Sequence, residues 1–563
     1  MNDIEGGFTF LERADELDSD TLQKRTVDNE FFSKIRSNLI SAGAKLLVGP
    51  RGTGKTHQMR FVYQECLTDQ AKPAAIYSSF SRYVRLEPLL KSSSDALVTF
   101  QSWVIAKIAV AGCEFLTDIG YKRDVIEKAL IGALDFEWSE LTKYIAQIER
   151  RGNTSTDGPP EQLNLEGLHL WFQTILVLAQ RSRMVIVLDD AALSMTPEYL
   201  VEFFNLFQDL KSPTVSPKAS VYPGTSQYGP RLHLRHDVQP INAWLSIEDS
   251  SYDQTMNQLI AAWEQDTTKL PDGVVDLFKL AAFGVPRVLL TLIRSYTDRE
   301  WATPQQGVNA VIEEQVALMD AEYQSMTQKV PQFQTVIEAG EKFFKNVVDQ
   351  MTAANRELAA SDQKQLTLGI PAKEVTILHG RMIRFLIEVG FLYPLTSVKH
   401  GEDRTYLRFI PHLAPLIHNR AFQVSSGFSA RAQVTFIARD KKTQPLRVSL
   451  GRLIPDAELK LDLARCTVCH ASRISEGQKF CHKCGSELLN ASAYEACMAL
   501  PVSVLPITDR QKSALQSERF NTIGDIIAAQ DPVNEVRSPG LIGRKRSMNI
   551  VLKAQQYVDE YFS

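Results

Sequence analysis

The chain lacks the long apolar runs of a membrane protein, because no stretch reaches about 18 uninterrupted apolar residues. Its most apolar segment, residues 96–111, is interrupted by Gln101, Ser102 and Lys107, and this pattern predicts a buried helix. The first 20 residues are acidic and lack the apolar core of a signal peptide. We therefore expect a cytoplasmic protein that makes no contact with a membrane.

The chain also lacks an excess of either charge. It carries 62 Lys and Arg residues against 66 Asp and Glu residues, so any contact with nucleic acid must come from a local patch. Cysteine is scarce, and four of the seven cysteines form two C-x-x-C pairs, which favours a reducing compartment and a metal site over disulfides. At 563 residues the chain is too long for one core, so several domains are expected.

A phosphate-binding loop is the most informative feature of the chain. Residues 45–56 combine a short apolar strand with the pattern G-x-x-x-x-G-K-T. Glycines let the backbone curl so that its N–H groups point at a phosphate, and the start of the following helix adds a positive dipole. Lys55 is expected at the β- and γ-phosphates of ATP, and the Thr56 hydroxyl at Mg²⁺. The predicted nucleotide-binding loop comprises Gly49, Pro50, Arg51, Gly52, Thr53, Gly54, Lys55 and Thr56.

A carboxylate at the end of a second buried strand completes the expected Mg²⁺ site. Residues 184–188 are apolar throughout, as in parallel strands covered on both faces, and Asp189 and Asp190 follow them. Open α/β sheets bind ligands at the carboxyl ends of their strands, so Asp189 is predicted to hold Mg²⁺. Asp190 stands where many such ATPases carry a glutamate that activates the attacking water. Its shorter side chain predicts slow hydrolysis.

Two more strands are predicted in the same sheet. Residues 73–80 form one of them, and residues 219–226 form a strand that ends in a polar turn. In P-loop ATPases a polar residue at the tip of the strand after the aspartate strand often senses the γ-phosphate. Ser226 is predicted in this role, and Thr225 or a plain turn are the alternatives.

A helical segment over residues 250–330 contains Gly-Val-Pro-Arg at 284–287, where the proline suits a first helical turn. Together with the P-loop, the Asp-Asp strand end and the polar strand tip, it resembles the AAA+ ATPases. The resemblance is to ORC-type ATPases and their relatives among STAND switches and transposition regulators, and it covers residues 20–330. It implies that Arg287 is a lid arginine touching the γ-phosphate, with a capping or surface arginine as the alternative. Arg231 and Arg235 are arginine-finger candidates by position alone.

The segment after the lid has helical periodicity and then two short strands around a turn. A helix at 382–388 followed by such a hairpin is similar to a winged helix, which ORC-type ATPases often carry after the lid. A DNA-binding wing and a purely structural domain are both compatible with this pattern. Residues 426–460 are predicted to be a linker with some strand content at 432–438.

Two C-x-x-C pairs separated by eleven residues predict a zinc site. Four thiolates select Zn²⁺ in a tetrahedral site, and a closed Cys₄ site is structural because it leaves no position for a substrate. The predicted ligands are Cys466, Cys469, Cys481 and Cys484. The segment resembles the zinc ribbons of many multidomain proteins, and Phe480 is expected to pack beneath a knuckle. The remaining cysteines are expected in the core; they are Cys66, Cys113 and Cys497.

The final segment contains a helix with Thr508 as its N-cap and a glycine turn, Gly540 to Gly543, before a terminal helix. It resembles a helix-hairpin-helix unit similar to the C-terminal domain of the RNA polymerase α subunit. In that motif, backbone N–H groups at a helix start bind a DNA phosphate without reading sequence. The predicted DNA contacts are Gly543, Arg544, Lys545 and Arg546. The glycine spacing is one residue longer than usual, and docking of a protein is the alternative.

These features predict an α/β P-loop core of the AAA+ type with a helical lid, followed by smaller modules. The expected divisions are an ATPase core at 1–245, a lid at 246–330, a winged-helix-like domain at 331–425, a linker at 426–460, a zinc ribbon at 461–492 and a helix-hairpin-helix domain at 500–563. The expected function is an ATPase that couples ATP to self-assembly and to DNA association, using Mg²⁺ and Zn²⁺. A role in bacterial defence or mobile-element biology is expected only by analogy with other proteins that combine such domains. The alternative is an ATP-gated signalling scaffold with little turnover, whose zinc ribbon and terminal helices bind protein.

Overall fold

The computed structural model describes most of the chain in segments. These are residues 14, 17–80, 86–87, 89–92, 95–151, 160, 162–190, 197–223, 228–229, 231–234, 236–359, 363–399, 404–422, 429–438, 445–455, 458–460, 463, 465–466, 468–473, 478, 480–486, 488, 493–529, 531–537 and 542–562.

The first part of the chain alternates helices and strands. Its helices are α1 Ser19–Lys24, α2 Glu30–Ile40, α3 Lys55–Thr68, α4 Leu89–Ser92, α5 Ala96–Asp118, α6 Arg123–Leu134, α7 Trp138–Arg151, α8 Leu165–Ala179 and α9 Pro197–Asp209. Its strands are β1 Lys45–Val48, β2 Ala74–Ser79, β3 Met184–Asp189, β4 Val215–Val221 and β5 Gln239–Asn242. The predicted strand at 73–80 and the predicted aspartate strand are therefore confirmed.

The five strands form one parallel sheet in the order β2-β3-β4-β1-β5. Strand β4 thus lies between β1, which leads into the P-loop, and β3, which ends at Asp189. The tip of β4 must therefore lie between the loop and that carboxylate. The predicted α/β core with a parallel sheet is confirmed, and its strand order decides which residues can reach the site.

Alternating residues of the strands face two different apolar cores, because successive side chains point to opposite sides of a sheet. Leu47 and Val185 pack on one side with α2, α3 and the helices that follow the sheet. Leu46 and Ile186 pack on the other side with α5 to α9. Helix α5 is the one described helix long and apolar enough to cross a membrane, and 72% of its apolar window is buried. The prediction of a buried helix here is confirmed.

A run of helices follows the sheet. They are α10 Tyr252–Ala262, α11 Val274–Ala282, α12 Pro286–Thr297, α13 Pro304–Lys329 and α14 Gln334–Leu358. Helix α12 begins with Pro286 in its first turn, as predicted. The apolar faces of these helices pack into the same core as Leu47 and Val185.

A helix and an antiparallel hairpin follow, as predicted. The elements are β6 Leu368–Pro371, α15 Ile377–Glu388, β7 Leu392–Lys399, β8 Thr405–Pro411, α16 Leu413–His418, α17 Ala430–Ala438, β9 Leu446–Arg447 and α18 Leu450–Leu453. The strands form a second sheet in the order β7-β8-β6-β9. The strand content predicted at 432–438 was wrong, because this segment is the helix α17. It buries Ala430, Gln433 and Ile437, a spacing of three and four residues that fits one helical face.

The described residues from 493 onward form five α-helices. They are α19 Ala493–Met498, α20 Asp509–Ser517, α21 Ile523–Ile527, α22 Pro532–Glu535 and α23 Arg544–Phe562. Thr508 caps α20 as predicted, and its side chain accepts a hydrogen bond from the Gln511 N–H. Apolar residues of this group, including Cys497 and Leu515, join the same core as α5 to α9. The Tyr494 N–H also donates a 3.3 Å hydrogen bond to the Glu87 carboxylate.

Candidate active site and metal centre

The loop between β1 and α3 is folded around the amino group of Lys55. Gly52 and Gly54 have φ values of 80° and 84°, in the left-handed region that favours glycine. The buried Lys55 Nζ donates hydrogen bonds of 2.7 Å to the Gly49 carbonyl and 3.0 Å to the Pro50 carbonyl. In this structure the amino group therefore points into the loop, where the phosphates of a nucleotide are expected.

The charge of Lys55 lies in an apolar environment close to two carboxylates. Its Nζ is 4.0 Å from the ring centroid of Tyr222. Burial lowers the pKa of Lys55 to about 8. The carboxylates of Asp190 and Asp189 act in the opposite direction, whereas Arg51 adds to the decrease. A bound anion such as a phosphate would therefore stabilise the charged form of Lys55.

The Asp189 carboxylate is buried and held by hydroxyl groups from both neighbouring strands. The Tyr77 hydroxyl donates to Oδ2 at 2.9 Å, and the Ser220 hydroxyl donates to Oδ1 at 2.8 Å. Tyr77 pairs with Val187 in the sheet, so it lies on the same face as Asp189 and reaches it along the strand. Sequence reasoning missed Tyr77 and Ser220, because only the strand register brings them to Asp189.

Asp190 adopts a left-handed backbone conformation with φ of 52°. Its N–H donates to the Ser220 Oγ at 2.8 Å and to the Asp189 Oδ1 at 3.0 Å. Asp and Asn are several-fold enriched among residues with positive φ. This conformation gives a physical reason for aspartate rather than glutamate at position 190.

The residues predicted to hold Mg²⁺ come from the two sides of this end of the sheet. Thr56 is the second residue of α3 and is half-buried, while Asp189 ends β3. A hydroxyl and a fixed carboxylate are hard oxygen ligands of the kind that Mg²⁺ takes together with phosphate oxygens. Thr53 has a different role, because its hydroxyl donates to the Pro50 carbonyl at 2.9 Å and thereby closes the loop. The residues present therefore fit an Mg²⁺-nucleotide.

The helices after the sheet touch the P-loop directly. A Cβ atom on Gly52 would lie 2.9 Å from the Val285 Cγ1 and 3.2 Å from the Arg287 Cβ. The Arg287 N–H is 3.4 Å from the Gly52 carbonyl oxygen. Nearby, a Cβ on Gly284 would lie 2.0 Å from the Leu245 oxygen, so glycine is required at that position. Arg287 is thus placed beside the P-loop, and its side chain is exposed.

The corner between α15 and β7 also reaches the loop. A Cβ on Gly390 would lie 4.0 Å from the Pro50 Cβ and 3.9 Å from Trp244. Glu388, two residues earlier, opposes the lowering of the Lys55 pKa that burial causes. The segment carrying the hairpin therefore lies close to the P-loop and contributes the charge of Glu388 to it, which the sequence did not predict.

A cluster of aromatic side chains joins the sheet, the helices after it and the hairpin. The Trp244 Nε1 donates to the Phe283 carbonyl at 2.7 Å, and the ring centroids of Trp244 and Tyr393 are 4.7 Å apart. The Phe283 and His412 rings are also 4.7 Å apart. Burial lowers the pKa of His412 to about 3, so this ring is neutral at physiological pH. The cluster provides a packed connection between three parts of the chain.

The residues predicted at the polar strand tip, Thr225 and Ser226, lie outside the described residues, as does Arg235. Strand β4 ends at Val221, and the following residue, Tyr222, is the one placed against Lys55. Arg231 is paired with Asp209 at 3.1 Å on the surface. The sequence pattern of β4 did not single out Tyr222, because aromatic residues are common at strand ends.

The four predicted zinc ligands converge. Their Sγ atoms all lie within 4.8 Å of one another. The Cys466–Cys484 and Cys469–Cys481 sulfur distances are 3.5 and 3.4 Å. A tetrahedral ion with Zn–S bonds of about 2.3 Å places its sulfurs about 3.8 Å apart, so the arrangement fits Zn²⁺.

The two knuckles share one backbone pattern. The His470 N–H donates to the Cys466 carbonyl and the Gly485 N–H donates to the Cys481 carbonyl, both at 2.9 Å. His470 and Gly485, which follow the second cysteine of each pair, both have positive φ. The expectation that Phe480 packs beneath a knuckle was wrong, because its side chain is 61% exposed. The other three cysteines are buried in the core, as predicted.

The basic residues predicted to contact DNA lie at the exposed start of α23. Gly543 has open space where a side chain would be, and the Ser547 N–H donates to its carbonyl at 2.9 Å. Arg544, Lys545 and Arg546 occupy the first turn and are exposed. Positive charge at a helix N-terminus opposes the helix dipole, so a bound anion would stabilise this arrangement. Gly540 lies outside the described residues.

No protein-family model matches the chain, and no curated protein matches it. Among solved structures, it is similar to the Aeropyrum pernix ORC1 protein in complex with DNA, with 13% sequence identity. The similarity covers 69% of this chain and 90% of that chain, with a TM-score of 0.27. At this TM-score the similarity does not decide the fold, so the interpretation rests on the chain's own sheet order, P-loop and cysteine geometry.

Proposed function

We propose that this chain is an AAA+-type ATPase that binds Mg²⁺-ATP and couples nucleotide state to self-assembly and DNA association. The observation that carries the proposal is the Lys55 ammonium enclosed by the P-loop, whose charged form the Asp189 and Asp190 carboxylates favour. This set contains a charge for phosphate and a carboxylate for a phosphate-bound cation.

In the proposed reaction each residue has a separate role. Lys55 and the loop N–H groups bind the β- and γ-phosphates, while Arg287 approaches from the helical lid. Thr56 and Asp189 would hold Mg²⁺, which would supply charge stabilisation at the transferred phosphoryl group. Tyr77 and Ser220 fix the orientation of the Asp189 carboxylate. Asp190 accepts the proton of the attacking water, and its short side chain makes turnover slow.

The proposed DNA contact is separate from the nucleotide site. It uses the exposed Arg544, Lys545 and Arg546 at the start of α23, which would bind phosphates without reading bases. A few such contacts give weak binding, so assembly of several chains would be required to retain DNA. Zn²⁺ held by the four cysteines would stabilise the module that lies between these two sites along the chain.

Equilibrium binding of ATP to the full chain tests the nucleotide site. Lys55→Ala should abolish measurable binding while the thermal midpoint stays close to that of the wild type. Lys72→Ala is a control, because Lys72 is a half-buried lysine outside the P-loop, paired with Glu65 at 3.0 Å. Equal ATP affinity in the wild type and Lys55→Ala would refute the P-loop assignment.

A second function is favoured by one specific observation, the closeness of the α15–β7 corner to the P-loop, where a Cβ on Gly390 would lie 4.0 Å from the Pro50 Cβ. A domain that lies next to the nucleotide site can respond to bound ATP by changing its position, as an ATP-gated switch with little turnover would. In that case the zinc module and the terminal helices would bind a protein. Steady-state ATP hydrolysis with and without duplex DNA separates the two functions. DNA-stimulated turnover supports the ATPase, whereas tight ATP binding without turnover or DNA binding supports the switch.

A further inference from the structure

Tyr222 occupies the position between the P-loop and the aspartate strand. It follows Val221, the last residue of β4, and β4 pairs with β1 on one side and β3 on the other. Its ring is buried and lies 4.0 Å from the Lys55 Nζ. The sheet order thus brings an aromatic face against the one lysine of the P-loop.

The contact has the geometry of a cation–π interaction. A Lys ammonium within about 6 Å of an aromatic centroid is attracted by the ring, and the attraction is strongest where water is excluded. Lys55 is 6% exposed and Tyr222 is 9% exposed, so water does not screen the pair. The ammonium also donates to the Gly49 and Pro50 carbonyls. One face of the charge is therefore covered by the ring, while the loop supplies oxygen acceptors.

We propose that Tyr222 is a positioning residue for ATP binding: its ring holds the Lys55 ammonium at the P-loop, charged and largely dehydrated, ready to receive phosphate. The inference rests on the proposed function, because it assigns the role within the same nucleotide site. It adds the reason why an aromatic residue directly follows β4. A long lysine side chain has about 2 kcal/mol of rotamer entropy to lose, and a residue that restricts it beforehand lowers the cost of binding.

The ring, rather than apolar volume, is the predicted requirement. Tyr222→Phe and Tyr222→Trp keep an aromatic face, whereas Tyr222→Leu and Tyr222→Met keep a buried apolar side chain without one. The two aromatic variants should bind ATP within about threefold of the wild type. The two aliphatic variants should bind ATP about 5- to 30-fold more weakly, the range expected for a dehydrated cation–π contact. Measuring two aliphatic variants guards against a failure of either one to fold.

Equilibrium titration with a fluorescent ATP analogue, alongside thermal midpoints, is the experiment. Tyr121→Leu is the control, because Tyr121 is a half-buried tyrosine packed against the core around α5 to α9, and its hydroxyl donates to the Leu178 carbonyl in α8. Selective loss in the aliphatic variants, at unchanged thermal midpoints, supports the inference. Equal ATP affinity in all four Tyr222 variants, or an equal loss of affinity in Tyr222→Phe and Tyr222→Leu, overturns the role of the ring. Neither result would contradict the ATP site itself. Absence of ATP binding in the wild type would instead overturn the proposed function.

Discussion

The Ser220 hydroxyl donates a 2.8 Å hydrogen bond to the Asp189 carboxylate and accepts one from the Asp190 N–H. One serine on the middle strand therefore ties together the two acidic residues at the end of β3. The relationship depends on β4 lying next to β3, where Ala219 pairs with Leu188. This hydroxyl therefore orients the Asp189 carboxylate at the proposed Mg²⁺ position and also holds the backbone of Asp190.

Ser220→Ala should reduce Mg²⁺-dependent ATP hydrolysis about 10-fold, because hydrogen bonds to charged groups contribute about 1.5–3 kcal/mol and part of that will be recovered by water. Binding of ATP without Mg²⁺ should change less. Ser216→Ala is the matched control: Ser216 lies on the same strand, and its hydroxyl accepts a 3.0 Å hydrogen bond from the Gly43 N–H, away from the acidic residues. Equal activity of both variants would contradict the assigned role of Ser220.

One Zn²⁺ per chain should be found by elemental analysis of the purified protein. Cys469→Ser should remove it, because a Cys₄ site needs all four thiolates for tight binding. Cys66→Ala should retain zinc, since Cys66 is a buried core residue on α3. Metal loss should unfold only the cysteine module, whose small apolar cluster is separate from the two main cores. Full zinc content in Cys469→Ser would argue against the four-cysteine site.

Arg544→Glu/Arg546→Glu should weaken DNA binding in a gel shift, and the wild-type affinity should fall steeply with salt. For one chain we expect a Kd of about 10⁻⁴–10⁻⁶ M at physiological salt, the range of non-specific binding. ATP should strengthen retention if nucleotide drives assembly. Lys128→Glu/Lys143→Glu makes the same charge change at exposed lysines of α6 and α7. Identical behaviour of the two double variants would count against α23 as the DNA contact.

Stability should depend on pH through Lys218, a fully buried lysine of β4. Its Nζ donates to the Ser41 carbonyl at 2.7 Å, but burial lowers its pKa from 10.5 to about 7. Between these pH values the unfolded chain binds more protons than the folded one, so this lysine makes stability rise with pH.

Replacing Lys218 with methionine should remove this pH dependence of the free energy of unfolding. From pH 7 to pH 9.5 the wild type should gain stability relative to Lys218→Met, by up to about 1.4 kcal/mol per pH unit. Thermal midpoints measured across this range provide the comparison. The control variant Lys72→Met should track the wild type, because Lys72 is only half-buried and lies outside the strands, paired with Glu65. A constant difference between wild type and Lys218→Met at all pH values would contradict the prediction.

The motifs whose residues lie together in the structure as the sequence predicted are local in sequence. Lys55 and Thr56 follow β1 after a loop of six residues, 49–54, and the cysteine pairs form their knuckles from residues close in sequence, so spacing alone carries the geometry. Tyr77, Ser220 and Tyr222 are different, because each reaches the site from a neighbouring strand. Their positions depend on strand order and register, which a single sequence does not reveal.

The two wrong expectations have physical causes as well. Residues 432–438 contain Val434, Thr435, Phe436 and Ile437, which favour strands by propensity. Burial of one helical face against the helices after the sheet decided the outcome instead. Phe480 belongs to a module too small to enclose every apolar side chain, so it stays exposed.

The terminal helices share their apolar core with the ATPase sheet, whereas the cysteine module has a small core of its own. Cys497 and Leu515 pack in the same cluster as Trp103 and Phe204. Evolutionary exchange of this C-terminal unit between proteins would therefore leave an uncovered apolar surface behind, while the zinc module could be gained or lost with little damage. The two modules are neighbours along the chain, but only the zinc module has a core separate from the rest of the protein.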